Sequence, residues 1–170
     1  KRKRPISSLP YMIKGNMPYD GGYLLMDVTT KNHIVEQDRR VLQYMRRIVG
    51  SDEFINGIER WCFWITDDKA DAALEIPIIK ERADLVRDLR LGKADKSAQR
   101  LAAYPYRFRE MHETTTNSLV IPSVSSENRE YVPVGFVDKK TVVTNLAFVI
   151  YDCDPWIFGV VSSKMHNLWI

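Results

Sequence analysis

Cysteine is scarce in this 170-residue chain, with only Cys62 and Cys153. Two thiols cannot build a disulfide framework, and their rarity fits a reducing, cytoplasmic setting. Long apolar runs are also missing. The longest, such as Leu146–Tyr151, fall far short of the roughly 20 residues a helix needs to cross a bilayer, so no membrane contact is expected. The opening Lys1-Arg2-Lys3-Arg4-Pro5 has no apolar stretch behind it and does not read as a signal peptide. The three histidines, His33, His112 and His166, stand far apart with no Cys or carboxylate at ligand spacing, so no metal site is expected. No G-x-S-x-G elbow and no glycine-rich phosphate loop is present. Nucleophilic-serine and dinucleotide chemistry are therefore not indicated.

Two fragments imitate catalytic motifs. Asp67-Asp68-Lys69 has the outline of a metal-dependent nuclease tail, but no partner acid on a matching strand precedes it, and a solvated turn explains it. Asp154-Pro155-Trp156 faintly echoes the Asp/Asn-Pro-Pro-aromatic motif of amino-methyltransferases. It lacks the second proline, and a helix start accounts for it. The chain alone is expected to be non-catalytic.

What is present is enough apolar material for a core: 45% hydrophobic and 11% aromatic residues, in a length that suits one domain. Charge is nearly balanced, with 25 Lys+Arg against 22 Asp+Glu. The positive charge is instead local. From Lys80 to Arg109 nine basic residues stand against four acidic ones, which suits a protein that meets an anion on one side.

Periodicity predicts a mixed α+β domain with one mixed or antiparallel sheet and three main helices. Residues 1–30, dense in Gly and Pro, read as an extended opening segment. A helix is expected over Gln37–Val49, where Val41, Met45 and Ile48 form an apolar stripe. Ser51-Asp52-Glu53 looks like a cap and short first turn, and Arg60–Ile65 like a buried strand. Pro77 starts a helix to Leu91, with a short one over Ser97–Ala103. Residues 118–150 are strand-rich: Ser118–Ile121, Glu130–Val137 and Thr141–Ile150, the last two joined as a hairpin through Asp138-Lys139-Lys140. A C-terminal helix over 154–170 should bury Ile157, Val161, Met165 and Leu168.

Four stretches look suited to contact. Lys14–Gly22 offers glycines that let a backbone approach closely, or a structural loop. Ser123–Tyr131 carries Ser125, Ser126, Asn128 and Arg129, residue types that bond phosphates and base edges, or is a plain β-connection. The face bearing Gly159, Ser162, Ser163 and His166, flanked by Lys164, lets a helix sit close to another surface, whether DNA or a second helix. Tyr104, Tyr106 and Phe108 alternate with Arg107 and Arg109, as at nucleic-acid surfaces, unless the aromatics point inward.

Several blocks taken together, in order along nearly the whole chain, are more specific. They are Pro5-Ile6-Ser7-Ser8-Leu9-Pro10, Gly15-Asn16-Met17-Pro18-Tyr19-Asp20-Gly21-Gly22, Gly50–Cys62, Ile121–Pro133 and Phe158–Trp169. The combination resembles the target-recognition domain of MmeI-like (type IIL) restriction–modification proteins, in which nuclease, adenine-N6 methyltransferase and DNA-reading domain share one polypeptide. The resemblance implies a piece of a larger parent, whose S-adenosylmethionine loop, Asn-Pro-Pro-Tyr motif and nuclease domain lie upstream. It also implies a Gly-Arg-Leu-type segment beyond Trp169.

On this resemblance the domain reads double-stranded DNA in a cleft facing the methyltransferase domain of the same polypeptide. The Lys80–Arg109 patch, including Arg107 and Arg109, would grip phosphates. Ser125, Ser126, Asn128, Arg129 and Asn145 are candidates for base contacts, and Ser163, Lys164 and His166 for backbone support. No cofactor is assigned to this chain; S-adenosylmethionine and Mg²⁺ would serve the parent. The alternative is a structural or protein–protein module that stabilises the methyltransferase domain without reading bases.

Overall fold

A computed structural model describes residues 9–124, 126 and 129–168. The chain is α+β, but its strands form two sheets rather than one. In chain order the strands are β1 (Ile13–Lys14), β2 (Leu25–Asp27), β3 (Met45–Val49), β4 (Arg60–Phe63), β5 (Ser118–Pro122), β6 (Gly135–Val137), β7 (Val142–Val143) and β8 (Ala147–Ile150). The helices are α1 (Val28–Gln37), α2 (Ser51–Asn56), α3 (Ala70–Leu74), α4 (Pro77–Leu91), α5 (Lys96–Leu101), α6 (Pro155–Val161) and α7 (Lys164–Asn167). One sheet has the order β1-β8-β5-β6 and is antiparallel throughout. The other runs β2-β4-β3-β7 and ends in a parallel pair, Ile48 beside Val142.

Three expectations fail, each because tertiary pairing overrides local pattern. The helix expected over Gln37–Val49 is a 3-10 turn, Arg39–Tyr44, followed by strand β3. Ile48 and Val49 are β-branched, and Ile48 pairs with both β4 and β7 while Val49 pairs with β7. The expected hairpin through Asp138 does not form, because β6 pairs with β5 while β7 pairs with β3 in the other sheet. The expected single strand over Thr141–Ile150 is split at Thr144-Asn145-Leu146, where the chain crosses from one sheet to the other. Asn16 bridges Thr144 at this crossing, and a Cβ on Gly15 would sit 2.5 Å from the carbonyl oxygens of Val143 and Thr144. Only glycine fits there.

The extended opening segment ends earlier than expected. Asp27 caps α1 by accepting from the Thr30 amide at 2.7 Å, a helix start that the β-branched Val28-Thr29-Thr30 hides from pattern reading. The C-terminal helix is two short ones. Ser163 accepts the His166 amide at 3.1 Å and begins α7 afresh. The break leaves Ile157 buried but turns Met165 and Leu168 outward, 74% and 80% exposed.

The sheets bury different faces. α1, α3 and α4 cover the second sheet over a core that includes Leu24, Ile34, Phe63, Ile65, Ile79, Val86 and Phe108. The first sheet is covered on both sides. Val120 and Val149 pack under Phe54 of α2, while Leu119, Ile121 and Ile150 pack against Ile157 of α6. That is why all five residues of β5 are buried and why its sequence reads as a continuous apolar run.

Candidate nucleic-acid interface

The first sheet and α6 bound a groove of about 860 Å³. Its floor is Ile121, Phe148 and Ile150, and its walls are Trp156, Val160 and Val161 of α6 with Leu9, Pro10 and Met12 opposite. The connection after β5 forms the lip and contributes Ser123, Ser126, Arg129 and Tyr131, while His166 closes one end. Three predicted residues, Ser126, Arg129 and His166, thus meet in one place although the last lies far along the chain. Trp156, 56% exposed on a helix, is the groove residue that sequence reasoning took only for a helix start. An unburied tryptophan is visible only once the helix face is known.

The lip is tied down at its root. The Ser123 amide donates to Ser51 Oγ at 2.9 Å, and Ser123 Oγ donates to the Leu146 carbonyl at 2.7 Å. Ser51 is itself set by α2, where Glu53 accepts the Gly50 amide at 2.8 Å and Arg60 at 2.7 Å. Burial alone would raise the Glu53 pKa, but these bonds outweigh it and lower it. Farther out, the Arg129 amide donates to the Ser126 carbonyl at 3.1 Å, forming a turn. The exposed Arg129 side chain makes no ion pair among the described residues. His166 Nδ1–H donates to the Val161 carbonyl at 3.0 Å, which leaves Nε2 as an acceptor in the neutral ring.

The other predicted residues distribute as follows. Ser163 has its hydroxyl engaged as the α7 cap, and Lys164 reaches Glu130 on the lip at 3.8 Å. Both ends of that pair are exposed, so it adds little stability. Asn145 sits on the crossing turn, its amide donating to the Asn16 carbonyl at 2.9 Å and its side chain half-buried. Ser125 and Asn128 lie outside the described residues. Arg107 and Arg109 are not in the groove. Arg107 pairs with Asp67 through two contacts at 2.7 and 3.0 Å, and the Arg109 guanidinium lies 5.4 Å from the Tyr19 ring centre.

Two further expectations are corrected. The Lys80–Arg109 stretch is not one phosphate-facing patch. Arg90 is fully buried, Arg87 pairs with Asp84, Arg82 donates to the Tyr23 carbonyl, and Arg107 is held by Asp67. Arg90 stands where the apolar stripe of α4 (Ile79, Ala83, Val86) continues, so spacing alone does not reveal its role. The alternating aromatics do not form a stacking platform either, since Tyr106 and Phe108 point into the core. The Lys14–Gly22 block is likewise structural. Asn16 is 1% exposed and donates to the Val143 carbonyl and Tyr151 Oη, both at 3.2 Å, while Asp20 accepts the Gly22 and Leu24 amides.

Among the described residues no group of three or more His, Cys, Asp or Glu side chains could hold a metal ion, and no helix is long and apolar enough to cross a membrane. The groove has an exposed arginine, serines and an imidazole among its lining, together with the apolar Ile121, Phe148 and Ile150.

Comparison with known proteins agrees over the whole length. The family described as MmeI, target recognition domain, matches residues 1–170. DNA methyltransferase A of Bacillus subtilis (strain 168) is 41% identical over 169 residues, covering 99% of this chain and 19% of that protein. A solved structure of the type IIL restriction–modification enzyme MmeI in complex with DNA superimposes with a TM-score of 0.92 at 38% identity, covering 99% of this chain and 23% of that one. The chain therefore spans about a fifth of the length of the relatives it matches. It belongs to the MmeI target-recognition-domain family.

Proposed function

We propose that this chain reads the DNA sequence for a parent enzyme that methylates adenine at N6, and that it takes no part in the chemistry itself. The observation that carries the reading is the convergence of Ser126, Arg129 and His166 on one groove. An exposed arginine that makes no ion pair among the described residues, on a lip anchored to the sheet, is suited to a bidentate contact with guanine O6 and N7, and serine hydroxyls can bond either donor or acceptor edges. Ser125 and Asn128 of the same connection, and Asn145 on the crossing turn, belong to the reading set. Ser163 and Lys164 support His166 and the lip from behind. Mg²⁺ and S-adenosylmethionine would be held by other domains of the parent. Such a protein would act in the cytoplasm, on double-stranded DNA.

A second reading has its own observation. The groove wall exposes Trp156, and α7 and the residue after it expose Met165 and Leu168, more apolar surface than a DNA face needs, and suited to the parent's methyltransferase domain. The variant Arg129→Ala in the full-length parent separates the two. A reader loses about 1–3 kcal/mol of discrimination, a roughly 5- to 150-fold smaller preference for its own site over a one-base change, measured as methylation rates on both duplexes. Unchanged rate and preference would remove Arg129 from the reading set and favour the structural role.

A further inference from the structure

Among the described residues that line the groove, Arg129 is the one lysine or arginine. The α6 wall, Pro155–Val161, carries no charged residue. A duplex read through the lip presents phosphates on both sides of its bases, and contacts to those phosphates fix its register without reading sequence. With Arg129 committed to a base edge, that task falls to cations at the groove's margin.

Strand register identifies such a cation. Lys14 of β1 stands opposite Phe148 of β8, and Phe148 stands opposite Ile121 of β5. Residues directly opposite on antiparallel strands share one face of the sheet. Phe148 and Ile121 are floor residues of the groove, so Lys14 continues the floor's own row on the groove face. Met12, two residues earlier, lines the groove as well. The neighbouring pair confirms the alternation: Val149, opposite Ile13, packs on the other face with Val120 and Phe54. β1 is an edge strand, so Lys14 ends the row. Two strand spacings place it about 10 Å from Ile121, and the lip begins two residues after Ile121, at Ser123.

The backbone that carries Lys14 is fixed while its side chain is not. The Gly15 amide donates to the Ala147 carbonyl at 3.1 Å and the Asn16 amide to the Val143 carbonyl at 2.7 Å. Asn16 and Asp20 of the same block are buried, whereas Lys14 is exposed. Its ammonium forms no ion pair among the described residues. A compact charge on a flexible stem suits a phosphate oxygen better than the planar edge of a base.

We propose that Lys14 holds the DNA phosphate backbone at the β1 edge of the groove and so sets the register in which the lip meets the bases. The proposal rests on the DNA-reading function given above. It assigns positioning to the sheet edge and base discrimination to the Ser123–Tyr131 lip, on the same face of the same sheet.

The test uses the full-length parent and two duplexes, one carrying the site it methylates and one changed at a single base, between about 50 and 200 mM salt. Lys14→Gln should make the slope of log affinity against log salt shallower by about 1. Over that range the variant then loses about 3- to 4-fold less affinity than wild type. Both duplexes should weaken alike, so the preference between them stays unchanged, and the charge-keeping K14R should retain the wild-type slope. The proposal falls if Lys14→Gln keeps the wild-type slope, if the preference collapses with it, or if K14R behaves as the glutamine does. A variant with the wild-type slope whose domains melt separately where the wild-type parent melts as one would place Lys14 against an acidic segment of the parent instead, which also overturns it. A wild-type parent that binds neither duplex at low salt, or binds both equally, would overturn the DNA-reading function itself, a result distinct from all of these.

Discussion

Replacing Arg90 by methionine should destabilise the domain by about 2–4 kcal/mol, and the figure follows from where its hydrogen bonds go. A guanidinium has five N–H donors, and in Arg90 all five are used on backbone carbonyls: Tyr19 at 3.0 Å, Leu101 at 3.2 Å, Tyr104 at 2.8 Å, Pro18 at 3.2 Å and Arg107 at 2.8 Å. Methionine keeps the packing along α4 and removes every donor. The Leu101 and Tyr104 carbonyls retain backbone partners, the amides of Tyr104 and Arg107. The carbonyls of Pro18, Tyr19 and Arg107 lose theirs, at about 1–2 kcal/mol each. Part of that is returned, because burial of the charge is itself unfavourable and lowers the Arg90 pKa to about 10. Urea denaturation followed by tryptophan fluorescence measures the difference, and a thermal scan should show a fall of about 5–15 °C. Hydrogen exchange should quicken over residues 101–109, which these bonds hold to α4. A loss below about 1 kcal/mol would show that Arg90 does not organise the fold.

Two more outcomes follow from local geometry. Gly15→Ala should cost about 1–3 kcal/mol, because its Cβ meets the Val143 and Thr144 carbonyl oxygens at the crossing between sheets; a melting temperature equal to wild type would contradict the close approach. Asp152→Asn should destabilise at neutral pH but not in acid. The Thr116 amide, with groups of Thr115 and Thr114, donates to Asp152 Oδ1 and holds its pKa well below the ordinary 3.8. That contribution is present above pH 3.8 and is lost as the pH falls below it. The gap between variant and wild type should therefore narrow in acid, and a gap independent of pH would refute the assignment.

Much of the architecture was legible in the chain, for reasons that differ by element. Helix α4 ran from Pro77 to Leu91 as its proline start and apolar spacing required. Strand β4 followed from Arg60-Trp61-Cys62-Phe63, whose bulky aromatics have few other places to go. Strand β3 was illegible because Val41, Met45 and Ile48 recur at helical spacing, and only pairing with β4 and β7 overrides that pattern. The two-sheet division hangs on Thr144-Asn145-Leu146, a three-residue deviation inside an apolar run.

The site was legible in part. Ser126, Arg129 and His166 line one groove. Charge counting failed between Lys80 and Arg109, because a sum over a segment does not show which arginines turn inward.

The domain is a frame that holds the groove's lining in place. The crossing at Asn16 and Thr144 locks the sheets together, α2 anchors the lip through Ser51, and the lip carries Arg129 into the groove. If the frame is a reader, specificity is a property of this segment and travels with it. The most direct test is to exchange the segment corresponding to residues 1–170 between two parent enzymes of different specificity and to map methylated sites by sequencing. The account predicts that each hybrid methylates the site, or the part of the site, of the parent that donated the segment. Hybrids that are folded and active but keep the recipient's own site would contradict it and leave the domain as a structural support.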